Sequence, residues 1–192
     1  MSQRMKIGVV SDTHGYFDPR LREYFAGVEG IVHAGDVDSQ TILDELAEIA
    51  PVYAVRGNVD SPGLNLPLTR TVQFEGVQVE SRHILPAPQS ALEAWSDGAS
   101  LGNIHPKRRE IFLAIFDRAS RVVVFGHSHE PCLVTLGHTL FFNPGSAGKK
   151  RFSLPRCCGM LEISPGGVRG ALMSLDGNEA SLPRKVWLPT TG

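Results

Sequence analysis

Short apolar runs alternate with amphipathic stretches along the first third of the chain. The runs are rich in β-branched residues and end in turn-forming residues, which is typical of buried strands. Three such runs are predicted to be strands: Met5–Val10, Gly30–Ala34 and Val52–Val55. Asp18 and Pro19 are suited to open a short helix that runs to about Ala26. Ser39 is suited to cap a second helix, whose apolar stripe would be Ile42, Leu43, Leu46 and Ile49.

The order β-α-β-α-β predicts parallel strands joined by crossover helices. Further along the chain, Lys107–Ala119 has helical spacing of its apolar residues. The remaining predicted strands are Thr71–Phe74, Val77–Ser81, Val122–Phe125, Leu133–Leu136, Thr139–Phe142, Gly159–Ile163 and Val168–Leu175. Gly137-His138 predicts a hairpin turn. No element is predicted between His83 and about Pro106, or in the tail from about Asp176.

Length and charge set the broad class of the protein. We expect 192 residues to form a single domain over 1–192, with the motif-bearing core at about 5–175 and a tail at 176–192. The net charge of -1 gives no general attraction to nucleic acid, and no apolar run approaches the roughly 20 residues of a membrane-spanning helix. Three cysteines, two of them adjacent, argue against a disulfide framework, so we expect a cytoplasmic protein.

Candidate chemistry lies where the predicted strands end. Four apolar strands run directly into glycine-containing loops that carry Asp, Asn or His, in the strings VVSDTHG, VHAGDVD, VRGNVD and VFGHSHEP. Ligands of parallel sheets bind beyond the carboxyl ends of the strands, so these loops are expected to converge. Any one string alone is more typical of an ordinary turn or helix cap. Four in order favour a metal site.

The residue types at these strand ends suit divalent transition ions. Asp12 and His14 lie two residues apart, as do His127 and His129, and Asp36 supplies a carboxylate able to bridge two ions. Mixed oxygen and imidazole donors favour transition ions over magnesium or calcium. We therefore expect two divalent ions, manganese first, with iron, zinc or nickel as alternatives.

The strings SDTHG, HAGD, GNVD and GHSH, followed by NPGS at Asn143–Ser146, resemble the calcineurin-like metallophosphoesterase superfamily. Similarity is greatest to its small single-domain bacterial and archaeal phosphodiesterases, which are related to the retromer cargo-subunit scaffold. The resemblance covers about residues 5–175. It implies an α/β fold, a four-layer α-β-β-α sandwich of two mixed sheets flanked by helices.

The resemblance also implies a ligand set. One ion would be held by Asp12, His14, Asp36 and His129, and the other by Asp36, Asn58 and His127. Asp36, Asn58 and His127 are the implied catalytic residues. His33 is expected to be a packed or supporting imidazole, and Asn143–Ser146 to line the site without binding metal.

One ligand of the family pattern, the first histidine of a His-Gly-His stretch, has no clear match. Counting from Gly76 puts His83 at that position, with Ile84 in place of the glycine. A shifted alignment would put Ser81 there instead, and His105 is a further candidate. His83 is the favoured ligand, although a β-branched residue after it resists a positive φ that glycine would accept.

The implied reaction is hydrolysis of a phosphodiester or small phosphomonoester by a metal-activated hydroxide. Val59 stands where many relatives have a histidine after the motif asparagine, and the absence of an acid there costs a factor of about 10²–10⁴ with poor leaving groups. Arg56, Arg82 and Lys107–Arg109 are candidates to contact phosphate.

Two other functions compete with this one. A non-catalytic protein-interaction scaffold of the same fold would have a degraded metal site, which the intact D-x-H and GHSH strings argue against. A nuclease is disfavoured by Val59 and by the lack of surplus basic residues. The expected partner is thus a small phosphorylated molecule and neither a membrane nor nucleic acid, with the oligomeric state left open.

Overall fold

The computed structural model describes residues 4–96, 107, 110, 112, 114, 120–151, 153–177 and 185–189. Its strands are β1 (Met5–Val10), β2 (Gly30–His33), β3 (Val52–Ala54), β4 (Thr69–Phe74), β5 (Val77–Arg82), β6 (Ser120–Val124), β7 (Cys132–Leu136), β8 (Thr139–Asn143), β9 (Cys157–Ser164), β10 (Gly167–Ser174) and β11 (Val186–Pro189). Its helices are α1 (Arg20–Tyr24), α2 (Gln40–Ala47) and α3 (Gln89–Ser96), with a 3₁₀ turn at Pro62–Leu64.

The strands form two mixed sheets. The first has the order β11-β10-β9-β1-β2-β3, and the second has the order β4-β5-β6-β8-β7. In the first sheet β1, β2 and β3 are parallel, as the alternation of strands and helices predicts. In the second sheet β5, β6 and β8 are parallel. Each sheet therefore presents three parallel carboxyl ends at one edge.

The main apolar core lies between the two sheets. Ile7 and Val32 from the first sheet pack in one cluster with Val79, Val124 and Phe142 from the second. Continuous burial of such runs, with side chains covered on both faces, explains why the strands lack polar alternation.

Helices cover the outer faces of the sheets. Leu21 of α1 and Leu46 of α2 share a cluster with Val10 and Ile31 of the first sheet. Leu92 of α3 shares a cluster with strands of the second sheet. The expected four-layer α-β-β-α arrangement is confirmed.

Several local predictions fit the structure closely. Leu136 pairs with Thr139 across the two-residue turn Gly137-His138. Asp18 accepts a hydrogen bond from the amide of Arg20 at 3.0 Å and so supports the start of α1. The second helix begins after Ser39, as predicted, but the expected capping role of its side chain is wrong, because that side chain makes no capping hydrogen bond.

Two elements, α3 and β11, lie where the sequence predicts none. Most of the helix predicted over Lys107–Ala119 lies outside the described residues, and the four positions described within it are helical. Among the described residues, no helix combines the length and apolarity needed to cross a membrane.

Candidate metal centre

Loops from both sheets meet at the edge where the parallel strands end. The loop after β1 is joined to the loop after β2 by a hydrogen bond from the Asp12 amide to the Gly35 carbonyl, at 3.0 Å. The loop after β6 is joined to that after β5 by the Gly126 amide and the His83 carbonyl, also at 3.0 Å. Gly148, after β8, donates to the Asp12 carbonyl at 3.1 Å. Hydrogen bonds between backbone atoms thus hold together the loops that carry the candidate residues.

The first donor group consists of Asp12, His14 and His129. Their ligand-type atoms lie within 4.8 Å of one another. The Nε2 atoms of His14 and His129 are 3.2 Å apart, and His129 Nε2 is 3.3 Å from Asp12 Oδ1. These separations match those between atoms that each lie about 2.0–2.2 Å from a shared cation.

The two carboxylate oxygens of Asp12 have different surroundings: one is held by hydrogen bonds, and the other faces the centre of the first donor group. Oδ2 accepts hydrogen bonds from the Ser11 hydroxyl at 2.6 Å and the His127 amide at 3.2 Å. Oδ1 is buried and has no hydrogen-bond partner among the described residues. A buried carboxylate oxygen without a donor is costly, so this atom fits a cation well.

The second donor group consists of Asp36, Asn58, His83 and His127. Asn58 Oδ1 lies 3.0 Å from His83 Nε2 and 2.9 Å from His127 Nδ1. Asp36 Oδ2 lies 3.2 Å from His83 Nε2 and 3.8 Å from His14 Nε2, so Asp36 faces both groups. The ligand-type atoms of Asp12, Asp36 and His83 also lie within 4.8 Å of one another. The two groups are therefore contiguous.

His83 is oriented by its other ring nitrogen. Nδ1 lies 2.7 Å from the Ala34 carbonyl, and because a carbonyl only accepts, Nδ1 carries the hydrogen. In the neutral imidazole Nε2 then presents a lone pair to Asp36 and Asn58, which are themselves acceptors. A cation bound between these acceptors would remove the repulsion between their lone pairs. Histidines that bind metal commonly donate their other ring N–H to a backbone carbonyl, as His83 does.

The residue after His83 does not disturb this arrangement. Ile84 is absent from the described residues with positive φ, so the loop needs no glycine there. His83 is 3% exposed and lies within the second donor group. Ser81 instead donates to the Arg70 carbonyl at 3.3 Å, and His105 lies outside the described residues.

Charge in the second donor group favours an ionised Asp36. Burial opposes ionisation, but the hydrogen bond that His83 donates when its ring is protonated and the one from the Val59 amide outweigh it and lower the pKa of Asp36 to about 2. Burial also lowers the pKa of His83, but Asp36 and Asp12 more than offset it, so that the pKa is raised. The field at this position therefore favours a positive charge.

The backbone is strained at five of the seven candidate ligands. Asp12, His14, Asp36, His127 and His129 all have φ between 47° and 74°. Left-handed conformations are uncommon for residues with a side chain, and they cluster at functional sites.

Two glycines make the close approach of the loops feasible. A Cβ on Gly57 would lie 2.0 Å from Asp36 Oδ1, and one on Gly126 would lie 2.7 Å from Asp12 Oδ2. Only glycine fits at these positions while the carboxylates keep their places.

His33 is fully buried and supports the loops. Its Nδ1 accepts from the Gly35 amide at 3.2 Å, so Nε2 carries the hydrogen and donates to Thr13 Oγ1 at 3.0 Å. This agrees with a supporting imidazole. Burial lowers the pKa of His33 to about 4, against smaller opposing effects of Asp60 and Asp12.

The low pKa of His33 predicts a specific pH dependence of stability. The unfolded chain binds a proton at this residue near pH 6.5, whereas the folded protein binds it only near pH 4. The stabilising contribution is thus complete above pH 6.5 and is lost as the pH falls toward 4, by about 2–3 kcal/mol.

Unfolding by urea in the presence of a chelator, at pH 7 and at pH 4.5, measures this effect. His33→Gln retains a donor but cannot titrate, so it is expected to lose less stability between the two pH values than the wild type. Equal losses in both proteins would show that His33 protonates as readily when folded as when unfolded.

Asn143 holds the loop that carries the two histidines after β6. Its Nδ2 donates to Ser128 Oγ at 2.9 Å, Gly126 O at 3.2 Å and Gln89 Oε1 at 3.1 Å. Gln89 is a supporting residue that sequence reasoning missed, since it lies on the unpredicted α3. Nothing in its local sequence indicates the role.

Asp60 anchors the loop after β3. Its two carboxylate oxygens accept from the amides of Asp38 and Gly57, each at 2.7 Å. Asp38 and Asp60 each lie two residues after a candidate ligand, in the strings DVD and NVD. The fold shows that Asp60 accepts backbone hydrogen bonds and so stabilises the loop.

Two of the candidate phosphate contacts lie beside the second donor group, and two lie outside the described residues. Arg56 and Arg82 line a cavity beside Asn58 and His83. Arg82 also donates from Nε to Glu80 Oε1 at 2.9 Å. Residues 108 and 109 lie outside the described part of the chain.

The chain is similar in sequence and in fold to known phosphoesterases and to related proteins. A sequence profile of the calcineurin-like phosphoesterase superfamily domain matches residues 5–166. A probable metallophosphoesterase of Methanothermobacter thermautotrophicus is 30% identical over 159 residues, which cover 79% of this chain and 82% of the relative. Phosphodiesterase YfcE of Escherichia coli is 28% identical over 180 residues, with 82% and 88% covered. The crystal structure of Vps29 of Entamoeba histolytica complexed with zinc is similar in fold, with a TM-score of 0.68, 19% identity, and 96% and 99% of the two chains covered.

Proposed function

Because the chain belongs to the calcineurin-like phosphoesterase superfamily and is a metal-dependent phosphoesterase, we propose that it hydrolyses phosphodiesters or small phosphomonoesters at a pair of divalent ions. Asp12, His14, Asp36 and His129 would hold one ion, and the second donor group would hold the other. Manganese is the proposed metal.

The observation that carries this proposal is that hydrogen-bond acceptors lie close together with no hydrogen-bond donor between them. Asp12 Oδ1 is buried without a hydrogen-bond partner among the described residues, and the neutral His83 ring turns the lone pair of Nε2 toward Asp36 Oδ2 at 3.2 Å. Removing these atoms from water without a cation would be costly. Two cations would satisfy both groups.

When bound, two such ions supply an activated water nucleophile and positive charge beside the phosphoryl oxygens. Asp36 faces both donor groups and would keep the ions close together. Asn58 Oδ1 lies 3.0 Å from His83 Nε2 and 2.9 Å from His127 Nδ1, so these three atoms would hold the second ion together.

The leaving group would receive little help from acids near Asn58. Val59, 50% exposed, has no proton to give, and both Asp60 oxygens accept backbone hydrogen bonds. Esters of acidic alcohols and phenols are therefore the favoured substrates.

The alternative is a non-catalytic scaffold, in keeping with the similarity of fold to Vps29. The complete donor groups favour catalysis. Hydrolysis of bis(p-nitrophenyl) phosphate by the purified protein, with and without manganese, separates the two. Turnover that depends on manganese supports the enzyme, whereas a correctly folded, metal-loaded protein without turnover supports the scaffold.

We expect two equivalents of transition metal per chain. The reason is that the two donor groups are joined by Asp12, which lies within 4.8 Å of ligand-type atoms of both, and by Asp36, which faces both His14 and His83. Elemental analysis after removal of metal and reconstitution with manganese measures the stoichiometry. One equivalent at saturation, or a manganese-soaked crystal without an ion between Asp12 and Asp36, would contradict this prediction.

We also propose a reducing compartment, the cytoplasm, as the location. Cys132, Cys157 and Cys158 are all buried, and none of them forms a disulfide with another described residue. Burial raises the pKa of the Cys132 thiol, which keeps it unreactive.

A further inference from the structure

Two cavities adjoin the second donor group. The first has a volume of about 460 Å³ and reaches His127, and the second has a volume of about 490 Å³ and reaches Asn58 and His83. Ile84 lines both cavities. Each is large enough for a group of the size of a nucleoside or a substituted ring.

The first cavity is mainly apolar. Ile84, Leu85, Pro86, Ala87 and Phe125 supply its apolar wall. No lysine or arginine is among its described lining residues, and Glu130 would repel an anion. This cavity therefore suits an uncharged, apolar group.

The second cavity has a different character. Arg56 and Arg82 contribute positive charge to its wall, Asp60 lies beside them, and Thr69 adds a hydroxyl. Arg82 is partly neutralised by Glu80. This cavity suits a polar group, with a preference for one that carries hydroxyls or a negative charge.

Ile84 forms the wall between the two cavities. Its side chain is 50% exposed and directly follows His83 in the chain. Leu68, 62% exposed, lies on the rim of the second cavity. Two exposed apolar side chains thus line one cavity beside the donor groups, and apolar lining with a few polar groups is typical of a ligand pocket.

We infer that the substrate is an unsymmetrical phosphodiester, with an apolar, uncharged ester group in the first cavity, a polar ester group in the second, and Ile84 as the residue that separates them. This inference rests on the proposed function, because the phosphorus must lie at the donor groups. A monoester would fill only one cavity and would lose the contacts of the other.

Two probes with the same leaving group test the inference. Thymidine 5′-(p-nitrophenyl phosphate) fills both cavities, whereas methyl p-nitrophenyl phosphate leaves the second nearly empty. Wild-type protein loaded with manganese is expected to have a kcat/KM at least about tenfold higher for the thymidine ester. Release of p-nitrophenol measures both reactions.

Exposed positions allow each cavity to be blocked separately. Ser90→Trp fills the first cavity, so it is expected to lower kcat/KM for both probes about tenfold through KM and to preserve their ratio. Leu68→Trp fills the second cavity, so the ratio is expected to fall about tenfold. Thr41→Trp, at an exposed position on α2, is the matched control for insertion of a tryptophan.

The outcomes separate the inference from the proposed function. If the wild type hydrolyses both probes equally and neither blocking variant changes the ratio, the two-cavity assignment is wrong while phosphodiester hydrolysis stands. If Ser90→Trp changes the ratio and Leu68→Trp does not, the groups do not occupy the cavities assigned to them. If no metal-loaded protein hydrolyses either probe, the proposed function fails first.

Discussion

Replacement of Asp36 with asparagine is expected to abolish phosphoesterase activity and to weaken both metal sites. Asp36 Oδ2 faces His83 at 3.2 Å and His14 at 3.8 Å, so its negative charge lies between the two donor groups. Asparagine has nearly the same shape but no charge to offset the repulsion between two cations. Loss of a supporting contact costs a metal site about 10–100-fold, so loss of a shared ligand charge should exceed about 100-fold in kcat.

Activity and metal affinity should be measured together at limiting and at saturating manganese. Asp44→Asn removes a carboxylate from the exposed face of α2 and serves as the matched control. Circular dichroism of the Asp36→Asn protein is the check that it is folded. Near-normal turnover of folded Asp36→Asn at limiting metal would mean that Asp36 is not the bridge.

Replacement of His83 with alanine is expected to weaken the second metal site selectively. His83 Nε2 lies within 3.2 Å of both Asp36 and Asn58, whereas Asp12, His14 and His129 keep their own contacts. Activity should fall more than about tenfold at low manganese and recover in part at high manganese, because mass action refills a weakened site.

Metal titration of the wild type and three histidine variants measures the effect. His105→Ala is expected to do little by comparison, and His138→Ala, in the exposed turn between β7 and β8, is the control for loss of an imidazole. Equal second-site affinity in the wild type and His83→Ala would remove His83 from the ligand set. A larger loss in His105→Ala would assign the ligand to His105.

The ligand-bearing loops were predictable because each directly follows an apolar run. Burial of the runs requires strands, and parallel strands bring their carboxyl ends to one edge. The family resemblance correctly supplied the two-sheet arrangement, which the periodicity alone did not indicate. It also supplied the pairing of Asp36 with both donor groups, a role that stays a prediction until metal is measured.

Other parts of the fold carried no local signal. The stretch that contains α3 is interrupted by Pro86 and Pro88, and its helix is held by packing of Leu92 against the second sheet. The strand β11 is only four residues long and depends on pairing with β10. Tertiary contacts stabilise such short elements, so a periodic pattern within them is too brief to detect.

The residue types at the ends of the strands can be read along the chain, and they are enough to predict a metal centre of mixed oxygen and imidazole donors. The directions of these side chains come from contacts between distant loops. The left-handed backbone at Asp12 and Asp36, the bond from His83 to the Ala34 carbonyl, and the division of the entrance by Ile84 all depend on loops from different strands. The physical reason is that apolar periodicity is set by neighbours along the chain, whereas the direction of a side chain is set by hydrogen bonds and close contacts between segments far apart in sequence.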